Sequence, residues 1–165
     1  MASSDGITRV LFLCLGNICR SPLAEGIFQH QVGQRGLQAY YQAESAGTGG
    51  WHAGELPDPR SQAIANAHGP ELTSRARQIH PRDLRQNDYI VCMDSMNRSH
   101  VQRMLSSRPQ QEVNVVLMRD YDPNGPGDVP DPYQDEEGAF QYVYELLTRS
   151  IAGLLDALEA ERARS

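Results

Sequence analysis

The residues with the clearest chemical meaning lie near the start of the chain, in the run Cys14-Leu15-Gly16-Asn17-Ile18-Cys19-Arg20-Ser21-Pro22. The run leads from an apolar stretch into a helix start. Backbone N–H groups in such a turn converge and make a nest for an anion, and the helix that follows adds the positive end of its dipole. Gly16 and Asn17 are residue types that tolerate the left-handed backbone such a curl needs. The amides of Leu15, Gly16, Asn17, Ile18 and Cys19 are therefore the expected phosphate ligands, and Arg20 offers a planar fork to two phosphate oxygens. A free thiol titrates near 8.5, and a helix N-terminus and an arginine both favour its anion. Cys14, at the base of the loop, is the expected nucleophile toward phosphorus. It would form a covalent thiophosphate and split one displacement into two, while the amides and Arg20 stabilise the charge spread over the transferring group. Ser21 is placed to donate its hydroxyl to the Cys14 sulfur. A lone cysteine with an arginine six residues on says little; the whole string, between strand and helix, says much more. A nucleotide-binding glycine loop is excluded because no Gly-Lys-Ser/Thr follows.

The elements around this run alternate between strand and helix. Ile7 to Cys14 is apolar on both faces, as a central parallel strand is. Ser21-Pro22 reads as a capped helix start, with Leu23, Ile27, Phe28 and Val32 at helical spacing up to Gly33 and Gly36. Ala39 to Ser45 is a second strand. Ala46 to Pro57, with four glycines and Trp51, is a loop. Asp58 caps a helix through His68, ended by Gly69-Pro70. A short turn covers Pro81 to Arg85. Asp88 to Met93 is a third strand, Ser95 to Leu105 a helix, and Val113 to Met118 a fourth strand. Arg119 to Gln134, rich in proline and glycine, is a long structured loop of the kind that tends to carry function. The last helix presents Phe140, Val143, Tyr144, Leu147, Ile151, Leu154, Leu155 and Leu158 on one stripe. This alternation implies an α/β fold in three layers, a parallel sheet with helices on both faces. Its ligands would sit at the carboxyl ends of the strands, where the Cys14 run falls.

Size and composition restrict the function classes. A chain of 165 residues and 18.4 kDa, with no repeat or linker, implies one domain over residues 1–165 that needs no disulfide or metal staple. Three cysteines (Cys14, Cys19, Cys92) are too few for a disulfide scaffold. Neither histidine nor cysteine clusters at ligand spacing, so neither metal nor cofactor is expected. No apolar run approaches the roughly 20 residues of a membrane span, and no signal pattern opens the chain, so a cytoplasmic location without membrane insertion is expected. The net charge is −6 and all 15 basic residues are arginines, with no basic run. That argues against nucleic acid as a partner but leaves room for an anionic substrate in a locally positive site.

The string from Cys14 to Pro22 resembles the phosphate loop of the low molecular weight protein tyrosine phosphatases, in that family's usual place near the N-terminus. The resemblance continues through Ser45-Ala46-Gly47, Trp51, Asp58-Pro59-Arg60, Arg75-Ala76-Arg77-Gln78, Met93-Asp94 with Asn97, Tyr121-Asp122-Pro123 and Asp131-Pro132-Tyr133. It implies a four-stranded parallel sheet and a metal-independent hydrolase acting on phosphotyrosine in proteins and on small aryl phosphates. A phenolate leaves poorly unless protonated, so the mechanism requires an acid near the loop. By resemblance this is Asp131, later the base for water, and Pro130 and Pro132 stiffen its segment. Leu15, Ile18, Trp51 and Tyr133 match positions lining the family's pocket. Asn17, Ser21 and Ser45 match residues that prop the loop, and Asp94 matches one that orients Arg20. A histidine found near this network in some relatives is replaced by Ser74. A second aromatic that often follows Tyr133 is replaced by Gln134. Cys19 matches a residue that in relatives forms a reversible disulfide with the nucleophile and protects it from overoxidation.

Three other functions share parts of this pattern. Arsenate reductases with a similar loop relay electrons through two further cysteines. Cys92 stands at the end of the third strand, but Met93 to Ser107 holds no partner for it, and Ser99 stands seven residues on. Related protein-arginine phosphatases tend to carry threonine where Ile18 stands, and an apolar Ile18 suits an aryl group better than a guanidinium. A non-catalytic phosphate-binding module would not need Cys14, Arg20 and Asp131 together.

Overall fold

The computed structural model describes residues 5–134 and 137–164. Four strands, β1 (Thr8–Cys14), β2 (Tyr41–Gly47), β3 (Tyr89–Cys92) and β4 (Asn114–Leu117), form one sheet in the order β2-β1-β3-β4, with every neighbouring pair parallel. Five helices flank it: α1 (Arg20–Gln34), α2 (Pro59–His68), α3 (Asp83–Gln86), α4 (Ser95–Ser106) and α5 (Glu137–Ala163). Parallel strands joined through helices must be covered on both faces. The period-2 alternation of a strand sorts the side chains accordingly. Val10, Phe12 and Cys14 of β1, with Val91 and Met93, pack under α1 and α5 against Leu23, Ile27, Val143, Leu147 and Leu154. Leu11, Leu13, Ile90 and Cys92 face the other way, against Leu84 and Val101.

The chain leaves β1 for a neighbour on one side and later crosses to β3 on the other. At such a switch point the two connections diverge and leave a crevice beyond the carboxyl end of the strand. The Cys14 loop fills it.

Several boundaries differ from the sequence reading by a residue or two, and three of the differences have a physical cause in the contacts. Helix α1 begins at Arg20, so Ser21 lies inside the first turn, fully buried and occupied elsewhere, while Pro22 sits where an N–H has no helical partner anyway. Strand β2 runs over Tyr41–Gly47, because Leu37 and Tyr40 still make turn hydrogen bonds to Val32 and Leu37. The long loop opens with a 3-10 turn over Met118–Tyr121. Asp122 then accepts from Arg119 (Nε, 3.0 Å) and from Arg149 of α5 (Nε, 2.8 Å). Gly153 of α5 permits this approach, since a Cβ there would meet the Tyr121 carbonyl.

Candidate active site

Residues 14–20 curl around the end of β1. Asn17 takes the left-handed conformation the curl requires, with φ +59°. Gly16 does not; its lack of a side chain instead makes room for His52, whose ring carbon would stand 3.0 Å from a Cβ at that position. The loop carbonyls are taken up by surrounding backbone: Thr48 N–H donates to Cys14 (2.9 Å), Gly49 to Leu15 (3.0 Å) and Asp58 to Ile18 (2.7 Å). Gly47 makes this stacking possible, because a Cβ would fall 2.7 Å from the Leu15 oxygen and 3.1 Å from the Asn17 nitrogen. With the carbonyls bound outside, the curl can offer its amides inward, as an anion nest does.

Cys14 is buried at the base of this curl. Asn17 N–H reaches its sulfur at 3.3 Å, and the Ser21 hydroxyl stands 3.0 Å from it. The Asn17 side chain fixes the arrangement by donating to Ser21 Oγ (2.8 Å) and accepting from Arg77 N–H (2.9 Å). Ser21 has one proton and two acceptors in reach, the Cys14 sulfur and the Ala46 carbonyl at 3.3 Å. The charge on sulfur decides which of them it serves.

Arg20 is 3% exposed and held from behind. Its Nη1 donates to Asp94 Oδ2 (2.8 Å) and to the Val129 carbonyl (2.9 Å), and its Nη2 faces Asp131 Oδ2 at 3.6 Å. Burial alone would lower its pKa, but the Cys14 sulfur, Asp94 and Asp131 outweigh burial and raise it. Asp94 does two jobs: it caps α4 in a reciprocal box with Asn97 and anchors the guanidinium. Asp131 is partly exposed, with Oδ1 accepting from Tyr133 N–H (3.1 Å). The segment before it is fixed by Val129 N–H on the Met93 carbonyl (2.7 Å).

These residues line a cleft of about 200 Å³ formed by Cys14, Leu15, Gly16, Ile18, Cys19, Arg20, Trp51, His52, Asp131 and Tyr133. Trp51 is 70% exposed and lies over Gly49, which has no side chain to push it away. A wider groove of about 760 Å³ elsewhere, with Arg9, Phe28, Tyr41 and Glu44 in its walls, contains no cysteine. Among the described residues no group of three or more His, Cys, Asp or Glu side chains is arranged to hold a metal, and no helix is long and apolar enough to cross a membrane.

Ser45 is buried beneath the site, and its hydroxyl donates to Glu25 Oε1 (2.6 Å) rather than to the loop. Ser74 donates to the same oxygen (2.9 Å). Glu25, which carried no signal in the sequence, is buried, and among the described residues no cation is hydrogen-bonded to it. Burial raises its pKa, and the two serine donors only partly offset that. Cys19 is buried and its thiol is pushed far up by burial and by Asp58 and Asp131. Cys92 is fully buried on the opposite face of the sheet from Cys14, with its thiol pushed up to about 12 by burial. It is therefore no partner for chemistry at Cys14. Sequence reading missed His52 altogether and gave Arg60 no role. His52 enters the cleft from a glycine-rich loop, where spacing carries no periodic signal.

The chain matches the family model described as low molecular weight phosphotyrosine protein phosphatase over residues 9–164. It is 40% identical over 156 residues to a low molecular weight protein-tyrosine-phosphatase of Streptomyces coelicolor, covering 93% of this chain and 94% of that one. Its fold is similar to the crystal structure of YfkJ from Bacillus subtilis, with a TM-score of 0.87, 36% identity, and coverage of 96% and 99%. It is also similar to the structure of DARP, a Drosophila arginine phosphatase, with a TM-score of 0.85, 32% identity, and coverage of 90% and 96%. With the Cys14 loop, the buried arginine and the four-stranded parallel sheet all in place, the chain belongs to the low molecular weight phosphotyrosine protein phosphatase family.

Proposed function

We propose that this protein hydrolyses phosphotyrosine in proteins, and small aryl phosphates, through a phosphocysteine formed on Cys14. The observation that carries the reading is the convergence of Cys14, Arg20 and Asp131 on one cleft with aromatic walls. In the first step the Cys14 thiolate attacks phosphorus and the S–P bond forms. The P–O bond to the aryl group breaks, and Asp131 gives its proton to the departing oxygen. The amides of residues 15–19 and the Arg20 fork hold the three equatorial oxygens. In the second step water attacks phosphorus and Asp131 takes its proton. The S–P electron pair returns to sulfur, where the Ser21 hydroxyl meets it. The reaction uses no metal and no cofactor.

Leu15 and Ile18 give the aryl ring apolar contacts, and Trp51 and Tyr133 flank it. An apolar Ile18 suits a phenyl ring better than the guanidinium of phosphoarginine. Turnover of phosphotyrosine against phosphoarginine on the same peptide tests that choice. The substrates and the free thiols of the loop both suit a reducing compartment, the cytoplasm. Under mild peroxide Cys14 and Cys19, five positions apart in one loop, would give up two thiol protons and two electrons to form a disulfide while peroxide is reduced to water. Peptide mapping would find that link; a sulfonic acid at Cys14 in its place would refute it.

The reading is tested by aryl phosphate hydrolysis in chelator by wild type, Cys14→Ser and Asp131→Asn. Hydrolysis by Cys14→Ser at the wild-type rate would overturn it. A wild type that binds phosphopeptide and turns nothing over would identify a binding module instead.

A further inference from the structure

Arg60 is the second residue of α2, where a surface arginine ordinarily does no more than pair with its helix cap. Here it does more. Its Nε donates to Asp58 Oδ1 (3.0 Å), and its Nη2 donates both to Asp58 Oδ2 (2.9 Å) and to the Tyr133 carbonyl (2.7 Å). The guanidinium carbon lies 4.4 Å from the Phe140 ring centroid and 5.9 Å from that of Tyr133. Asp58, in turn, donates its backbone N–H to the Ile18 carbonyl on the phosphate loop (2.7 Å). The planar fork thus links the phosphate loop to the carbonyl two residues beyond Asp131. The upstream side of the same segment is fixed at Val129 by Met93 and Arg20.

We propose that Arg60 is a positioning residue for proton transfer, holding the Asp131-Pro132-Tyr133 segment so that the Asp131 carboxyl reaches the leaving oxygen. The proposal rests on the reading of Asp131 as general acid. Asp131 is bound by little else: one oxygen is taken by Tyr133 N–H of the same segment, and the other stands 3.6 Å from Arg20. A carboxyl on a partly exposed, proline-stiffened segment is positioned by the segment's two ends, and small displacements of a reacting group are costly. Burial works against the charge on Asp58, but its bonds to Arg60 outweigh burial and keep its pKa below the usual range, so the pair remains charged at working pH. Lysine would not replace the fork, because a single ammonium cannot meet two carboxylate oxygens and a carbonyl in one plane.

The test is kcat/KM over a series of aryl phosphates, from nitrophenyl to phenyl, for wild type, Arg60→Met, Asp131→Asn and the double variant. Methionine keeps an unbranched side chain of similar reach and removes the guanidinium that lies over Phe140. Arg60→Met is expected to lose about 10-fold on phenyl phosphate and much less on nitrophenyl phosphate. Added to Asp131→Asn it is expected to cost nothing further, and inhibition by inorganic phosphate should stay at the wild-type level. Arg60→Lys, which retains the charge and folds more safely, should show the same leaving-group trend. Equal losses across the series, or the same loss in the Asp131→Asn background, would overturn the proposal. If Asp131→Asn itself shows no leaving-group dependence, the acid assignment fails, and the role of Arg60 falls with it for a distinguishable reason.

Discussion

Arg20 and Asp131, from opposite ends of the chain, face each other across 3.6 Å, Nη2 to Oδ2, at the mouth of the Cys14 loop. The guanidinium that would hold the phosphoryl oxygens and the carboxyl that would protonate the leaving group therefore lie on the same side of the cleft. Two anchors make this possible. Nη1 of Arg20 is bound to Asp94 and to the Val129 carbonyl, leaving the rest of the fork forward. Asp131 is turned by its own bond to Tyr133 N–H.

Replacing Asp131 by asparagine preserves volume and removes the proton. We expect kcat/KM on phosphotyrosine peptide to fall by about 10² to 10⁴, with a smaller loss on nitrophenyl phosphate, whose leaving group needs less protonation. Steady-state kinetics with the two substrates measures this.

Asp94 caps a helix and also anchors Arg20, and one substitution separates these roles. Asp94→Ser retains an N-cap oxygen but not the charge that pairs with Arg20. The retained cap keeps α4, but Arg20 is left buried without that carboxylate, so the melting temperature should fall. Inhibition by inorganic phosphate should weaken by about 10-fold, the size of one charge-assisted hydrogen bond. A fall in melting temperature with unchanged phosphate inhibition would assign Asp94 to the helix alone.

Glu25 and Asp122 respond to pH in opposite senses. Burial raises the Glu25 pKa above its unfolded value, so its ionisation costs stability as pH rises from the unfolded carboxylate range, about 4.3, through the folded value. Glu25→Gln has no proton to lose. Its stability relative to wild type should therefore increase from pH 4 toward neutrality, as urea denaturation at a series of pH values would show.

For Asp122, burial opposes the charge, but the bonds to Arg149, Asn124 and Arg119 outweigh it and lower the pKa. Its stabilisation is present above the unfolded value, about 3.9, and is lost as pH falls through the folded one. Asp122→Asn leaves two arginines without their carboxylate and should cost about 3 kcal/mol in urea denaturation at neutral pH.

Much of this was legible from residue order. The apolar run before Cys14, the period-3.6 stripe on α5 and the strand–helix alternation are local patterns, and they gave the parallel sheet with the loop at its carboxyl edge. Asn17 met its expected left-handed backbone, while Gly16 serves a different purpose, set by a histidine 36 positions away that no spacing rule connects to it. Ser21 looked like a helix cap because serine before proline usually is one; its hydroxyl is drawn instead to Cys14 and Asn17. Arg60 and Tyr133 meet only through the fold, as do Glu25, Ser45 and Ser74. Contacts of this kind leave no periodic trace, so the sequence displayed the loop and its place in the fold but not the parts that hold its partners.

The central claim is that phosphorus becomes bonded to one sulfur during turnover. Mixing the enzyme with a fast-leaving aryl phosphate, quenching within a turnover and mapping peptides by mass should place one phosphoryl group on Cys14, and Cys14→Ser should carry none on any cysteine. Steady turnover with no phosphoryl group on Cys14 at any quench time, or with the group on another residue, would contradict the account.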